Sequence, residues 1–326
     1  MSNTYKIDRD DGKRILMAEP YPYYLQKYET GELERIVEKL KENLKICRLC
    51  PRYCMVDRRK KVGICLQRDT ARLTNYLLHF GEEPPLVRDE DGEIKGAGTV
   101  FFSGCPMKCI YCQNFGFSQL NFGRDVSTME LAEIFLELQE RGAVNLDLVT
   151  PTPHLPFIVE ALRMAIERGF RLPIVYNTSG YESVETLKLL DTIVDIYLVD
   201  IRYTDDETGL RYSKVPDYWT TTKRAIKEMY RQVGAFRENP FRRGVIVRIL
   251  VFPEDIGGYE KAFDFIVNEL SPTVPVSLMS QYFPVYKALN DPVIGRKLTH
   301  EEYERAVHTL ERYGLIHGWI QEMGRR

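Results

Sequence analysis

Six apolar runs, each followed by an amphipathic stretch, constrain this chain more than any other feature. They are "TVFFSG" (99–104), "VNLDLVT" (144–150), "LPIVYNTSGY" (172–181), "VDIYLVDI" (194–201), "GVIVRILVFP" (244–253) and "VPVSLMS" (274–280). Each is rich in β-branched and aromatic residues and short enough to be a strand buried on both faces. The stretches at 126–143, 154–169, 182–191, 217–234, 259–270 and 300–314 place apolar residues three and four apart, as helices do. Ser127 with Glu130, and Thr299 with Glu302, have capping-box spacing. Strand and helix in strict alternation predict a parallel sheet. Six such units fall short of the eight that close a full barrel. The expected fold is therefore α/β, a partial (β/α)6 TIM-like barrel over residues 96–326, open at one side. Residues 1–46 read as an extension, irregular to about residue 30 and then helical through "ELERIVEKLKENLKI". Residues 47–95 read as a Cys-rich metal-binding segment and loop.

Ligands of such sheets sit at the C-terminal ends of the strands. That directs attention to Cys105, Thr150–His154, Asn177–Gly180, Asp200–Tyr203, Pro253–Asp255 and Ser280–Tyr282. The formal net charge of −2 gives no electrostatic reason to expect nucleic acid or an anionic membrane. No apolar run approaches the ~18 residues of a spanning helix, and the N-terminus is charged at once, so a cytoplasmic protein is expected. All seven cysteines fall in two clusters, four at 47–65 and three at 105–112. In a reducing compartment, clustered thiols point to metal rather than to disulfides.

The second cluster lies in "GCPMKCIYCQN", where Cys105, Cys109 and Cys112 follow the first strand of the barrel. Iron–sulfur clusters are held by thiolates, and three of them leave one iron of a [4Fe–4S] cubane open for reaction. The bland alternative is a structural zinc site completed by His79 or by a cysteine of the other cluster. The spacing Cys-x3-Cys-x2-Cys, placed after the first strand of six βα units, resembles the radical S-adenosylmethionine (SAM) superfamily. "HFGEEPPL", "LVTPTPH", "PIVYNTSGYE", "VDIYLVDIRY" and "EMYRQVG" further resemble a subgroup related to the pyruvate formate-lyase activating enzyme. The resemblance covers most of residues 45–255. It implies an oxidoreductase in which SAM chelates the open iron and one electron cleaves it to a 5′-deoxyadenosyl radical. A one-electron donor of flavodoxin or ferredoxin type is then a partner, and a glycine on a partner protein is one possible target. The substrate could equally be a small molecule.

The resemblance also implies SAM contacts. Tyr111 stands where the family places an aromatic residue near the adenine. Thr150, Pro151, Thr152 and Pro153 stand where glycyl-radical activating enzymes carry Gly-Gly-Glu-Pro, so the glutamate that meets the SAM amino group is missing. Asn177 and Thr178 match polar contacts on the third strand. Asp200 and Arg202 match an Asp-x-Lys pattern near the SAM carboxylate, which arginine can grip bidentately. Arg248 lies within the fifth strand, placed to point into the barrel. His154 is read as a cap of the following helix rather than as a proton carrier, and Glu82 and Glu83 as a solvated loop.

Cys47, Cys50, Cys54 and Cys65 provide four thiolates, enough to close a site with no open position. Zinc and an auxiliary [4Fe–4S] cluster both fit, with the Cys-x2-Cys pair leaning to zinc. "MVDRRKKVGI" between the last two reads as a basic hairpin. The rival to an enzyme is a non-catalytic metal-binding interaction module that has lost SAM, for which the missing glutamate is the main support.

Overall fold

A computed structural model describes residues 21–323. Nine strands form one open sheet: β1 (Ala71–His79), β2 (Ala97–Phe102), β3 (Arg124–Val126), β4 (Leu146–Val149), β5 (Ile174–Thr178), β6 (Ile196–Asp200), β7 (Gly244–Leu250), β8 (Val276–Met279) and β9 (Gly318–Ile320). Their order is β3-β1-β2-β4-β5-β6-β7-β8-β9. From β2 to β9 every pair is parallel, while β1 runs antiparallel to β2 and β3. The fold is thus α/β, a partial barrel with a Cys-rich extension packed at one end, as the alternation predicts.

The six expected strands are all present, and the helices Thr128–Glu140, Leu155–Glu167, Val184–Leu189, Tyr218–Val233 and His300–Arg312 fall where the periodicity places them. The helix Tyr259–Phe265 runs on into a π turn, Ile266–Leu270. Thr299 forms a complete capping box with Glu302. Ser127 makes only half of one, because the Glu130 carboxylate turns to Arg124 instead. The strands β1, β3 and β9 and the helices Tyr24–Glu29 and Asp206–Ser213 are additions to the sequence reading. The first of these helices replaces irregular chain within residues 21–30, while residues 1–20 lie outside the described part.

The pleat decides which residues meet inside the barrel. Successive side chains alternate between faces, so Tyr176, Tyr197, Val199, Val245 and Val247 pack outward against the helices. Val175, Leu198 and Ile246 point inward and close the floor together with Leu86, which a helical turn at Pro84–Val87 inserts. Two residues further up the same faces, the inward positions become Asn177, Asp200 and Arg248. The barrel is therefore apolar at its floor and charged toward the C-terminal ends of its strands.

Residues 47–65 form a lobe bound to that end through Arg52, Arg58, Tyr53 and the close approach of Gly104. Arg52 Nε donates to Pro106 O at 2.8 Å. Arg58 Nη1 donates to Pro153 O at 2.6 Å. Tyr53 OH lies 3.3 Å from a Glu185 carboxylate oxygen. Gly104 lies so close under the lobe that an added Cβ would stand 2.3 Å from Cys65 O and 2.2 Å from Gln67 Nε2. The segment 55–64 turns at Asp57–Lys61 without a strand ladder, so the expected hairpin is a turn.

Gly104 also has φ +77°, which strains any side chain. Gly104→Ala is expected to destabilise the apo protein by about 2 kcal/mol or more, seen as a lower melting temperature.

Candidate active site

The loop after β2 carries Cys105, Cys109 and Cys112 to the rim of a cavity of about 440 Å³. That volume falls in the range of small-molecule pockets, roughly 300–1,000 Å³. Two segments brace the loop. Lys108 N and Ile110 N donate to Ser213 O and Tyr212 O, each at 2.9 Å, and Lys287 N and Ala288 N donate to Ile110 O. An aromatic cluster of Tyr111, Tyr203, Phe252 and Tyr282 packs beneath it.

Two thiols of this loop meet a side-chain hydroxyl. Burial raises the Cys105 and Cys112 thiol pKa values, and the nearby backbone N–H groups of Met107 and Asn114 act against it. Ser118 Oγ lies 3.1 Å from Cys112 Sγ. Cys109 Sγ accepts from Ser213 Oγ at 2.9 Å and from Arg202 Nη1 at 3.2 Å. Burial pushes the free Cys105 thiol up to about 12. Donors near sulfur favour the thiolate over the thiol, but burial outweighs them at Cys105 and Cys112. A [4Fe–4S] cubane spreads its thiolates over separate irons, and three cysteines on one loop are a donor set of that kind.

From Cys109 a chain of charges crosses the cavity wall. Arg202 Nη2 donates to Asp200 Oδ2 at 2.9 Å, and Arg248 Nε to Asp200 Oδ1 at 2.8 Å. Arg248 Nη2 reaches Asn177 Oδ1 at 2.6 Å, and Nη1 lies 3.3 Å from Glu82 Oε2. Glu82 Oε1 is in turn 3.2 Å from His79 Nδ1, and this contact raises the imidazole pKa. Although burial opposes it, the two arginines hold Asp200 below the usual carboxylate range. Beneath them Asp147 is fully buried, takes a hydrogen bond from Thr99, and is driven by desolvation well above that range.

Tyr111, Thr150, Thr152, Asn177, Thr178, Asp200, Arg202 and Arg248 all line the cavity, together with the three cysteines. Arg248 does point inward. Thr150 holds φ +58°, a left-handed conformation that a β-branched residue rarely adopts. It stands at the first glycine of the Gly-Gly-Glu-Pro pattern, so the backbone keeps a glycine-like turn without glycine.

Two sequence expectations fail. Glu82 is not in a solvated loop, since its side chain is 9% exposed and ion-paired to Arg248, and Glu83 is buried with it. His154 makes no side-chain cap and does not face the cavity. It is fully buried, stacked on Phe102, with Nε2 2.8 Å from Ser103 O and Nδ1 accepting from Arg72 N. Burial lowers its pKa to about 3, so it is a neutral pin between β1 and the end of β2.

Sequence reasoning missed Glu182. It follows β5 by four residues, and Gly180 at φ +80° folds it back over the cavity. Its Oε1 accepts from Thr178 Oγ1 at 2.5 Å and Thr152 Oγ1 at 2.7 Å, and Tyr176 OH lies 3.4 Å from Oε2. Burial lifts its carboxyl to about 7. The signal available was a carboxylate in "NTSGYE" at a strand's C-terminal end.

The second thiol set shows the same chemistry. Burial raises the Cys47, Cys50 and Cys65 thiol pKa values, and the nearby backbone N–H groups of Leu49, Arg52 and Gln67 act against it. The Cys54 and Cys65 sulfurs both border Gly63. Arg58 lies beside Cys47 and Cys65, lowering both thiol pKa values against the larger effect of burial. It is fully buried, and among the described residues its side chain bonds to the carbonyls of Pro153 and Arg68 while its Nε finds no partner.

Residues 99–266 match the family described as the Radical SAM superfamily. This chain belongs to that superfamily. An uncharacterized protein of Methanocaldococcus jannaschii is 35% identical over 303 residues, 89% of this chain and 82% of that one. The pyruvate formate-lyase-activating enzyme of Clostridium pasteurianum is 27% identical over 124 residues, 36% of this radical SAM chain and 51% of its relative. Among solved structures, methylornithine synthase aligns with 92% of this chain and 74% of its own at 15% identity, TM-score 0.46.

The raised Glu182 pKa has a definite sign for stability. The folded chain keeps this proton up to about pH 7, whereas the unfolded chain loses it near 4.5. Its contribution is therefore whole below pH 4.5 and declines as pH rises to about 7. Glu182→Gln is expected to flatten this part of the melting-temperature profile of the apo protein between those pH values.

Proposed function

We propose that the cavity is the active site of a radical SAM enzyme, with Cys105, Cys109 and Cys112 as ligands of a [4Fe–4S] cluster. The observation that carries this reading is the three-thiol rim of the cavity, where Cys109 and Cys112 each meet a hydroxyl and Arg202 ties Cys109 to the charged wall. When bound, the cluster and SAM supply reductive cleavage to a 5′-deoxyadenosyl radical, the chemistry the superfamily name implies. The protein's part is to bind, orient and exclude water.

Asp200 and Arg248 make a fixed, prepaired wall, so the Arg202 guanidinium keeps donors in place for a ligand carboxylate at no cost in reorganisation. Glu182 supplies the carboxylate missing from the Gly-Gly-Glu-Pro position, beside Thr152. A cationic amino group there would favour the ionised form of Glu182, drawing its pKa down. The case for a non-catalytic module rested on that missing group, and Glu182 answers it. Asn177 and Thr178 offer further polar contacts, and Tyr111 an apolar face. The partly open barrel leaves room for a bulky substrate, which suits a glycine-bearing loop of a partner protein. The activating-enzyme relative supports that choice.

The lobe thiols Cys47, Cys50, Cys54 and Cys65 hold the second metal. An unpaired cation buried among neutral thiols is costly, and four metal-bound thiolates give Arg58 its counter-charge. This argument calls for an anionic thiolate centre and is indifferent to zinc or iron.

Three measurements test the reading. After anaerobic reconstitution, the wild type with dithionite and SAM is expected to form 5′-deoxyadenosine, and Cys112→Ala none; normal turnover in that variant refutes the assignment. Glu182→Gln is expected to weaken SAM binding roughly tenfold in calorimetry, since it removes the charge and keeps the shape. Arg58→Leu is expected to lose the second metal in elemental analysis while retaining the iron at the three-thiol loop. The same analysis on the wild type separates about four irons plus zinc from about eight irons.

A further inference from the structure

The lobe that carries the second thiol set has an outer face the proposed chemistry leaves unused. Residues 45–69 hold eight Lys and Arg against two Asp, in a chain whose formal net charge is −2. Charge is thus concentrated here and reversed elsewhere. Lys45, Arg48, Arg59, Lys60, Lys61 and Arg68 are all exposed. Between them Ile46, Met55, Val62 and Ile64 expose 42–50% of their surface. Cations around exposed aliphatic groups form a surface suited to a protein partner, with an apolar centre and a polar rim.

The lobe's inner face abuts the three-thiol loop. Cys65 O lies against Gly104, the residue before Cys105, and Arg52 is bonded to Pro106 O. None of residues 45–64 lines the cavity, so a carrier docked on the lobe leaves the cavity free for substrate while lying against the loop that carries Cys105.

Resting on the reading of this chain as a radical SAM enzyme, we propose that the face of residues 45–64 docks an acidic protein carrying a one-electron centre. The carrier's flavin or iron–sulfur centre is oxidised by one electron and the three-thiol cluster is reduced by one. No bond forms or breaks in this step. Complementary charge steers the encounter, making it fast and salt-sensitive. Single-stranded nucleic acid is the other ligand of basic surfaces, but it is bound by stacking on aromatic side chains. The face has one aromatic residue, Tyr53, and its hydroxyl is turned to Ser183 and Glu185; the rest of the apolar surface is aliphatic.

The test uses the reconstituted full chain and a Lys60→Glu/Lys61→Glu variant, with Lys297→Glu/Arg305→Glu as a control outside the lobe. Binding of oxidised flavodoxin and of a [2Fe–2S] ferredoxin is measured by calorimetry, and cluster reduction by each reduced carrier by stopped-flow absorbance. At least one carrier is expected to bind the wild type, with affinity and reduction rate falling at least tenfold in the lobe variant and unchanged in the control. Reduction by dithionite stays the same in all three. Neither carrier binding, an unchanged lobe variant, or an equal loss with dithionite overturns the proposal. So does a lobe variant that loses binding of oligo-uridine RNA but keeps its carrier rate. A cluster that the carrier reduces without 5′-deoxyadenosine appearing would refute the SAM reading while leaving the docking face in place.

Discussion

The Arg202 guanidinium is the point on which the site depends. One of its nitrogens faces Cys109 Sγ at 3.2 Å and another faces Asp200 at 2.9 Å. A charge buried at the top of a barrel is tolerable only if it is paired. Asp200 pairs Arg202 but is itself shared with Arg248, and Arg248 is shared with Asn177 and Glu82. The inner wall is therefore one electrostatic object. Each member holds the next in a fixed rotamer, and the thiol loop is fastened to one end of it. Preorganisation of this kind is what an active site needs and what a storage site for metal does not.

Much of this was legible in the sequence, for a simple reason. Period-two alternation along buried strands fixes the inward positions, so Asn177, Asp200 and Arg248 had to meet once β5, β6 and β7 were placed side by side. The thiol loop was legible because its spacing is local. What escaped depends on chain reversal or on packing. Glu182 enters the cavity only because Gly180 turns the chain back at a close approach, where an added Cβ would stand 2.8 Å from Asp200 O. Arg58 looks like any member of "RRKK" until the fold buries it alone. Glu82 sits in a polar stretch that a helical turn carries inward. The strand β1 hides in "ARLTNYLLH" because it is antiparallel, bulged between Leu73 and Asn75, and only partly buried.

His154 teaches a related lesson. Its position after a strand and before a helix suggested a cap or a proton carrier. The structure uses its ring as a dry strut, with both nitrogens on backbone groups of β1 and the β2 exit. A histidine at a strand end is thus informative about function only when something leaves one nitrogen free.

The buried Arg58 carries a consequence for how copies of this protein are made. On the proposed loading, a newly synthesised chain without metal has a lone cation in the interior of its lobe, and Arg52 and Arg58 fasten that lobe to Pro106 and Pro153 beside the site. Occupancy of the four thiols would then supply the counter-charge that Arg58 lacks, tying the loading of one thiol set to the seating of the loop that carries the other.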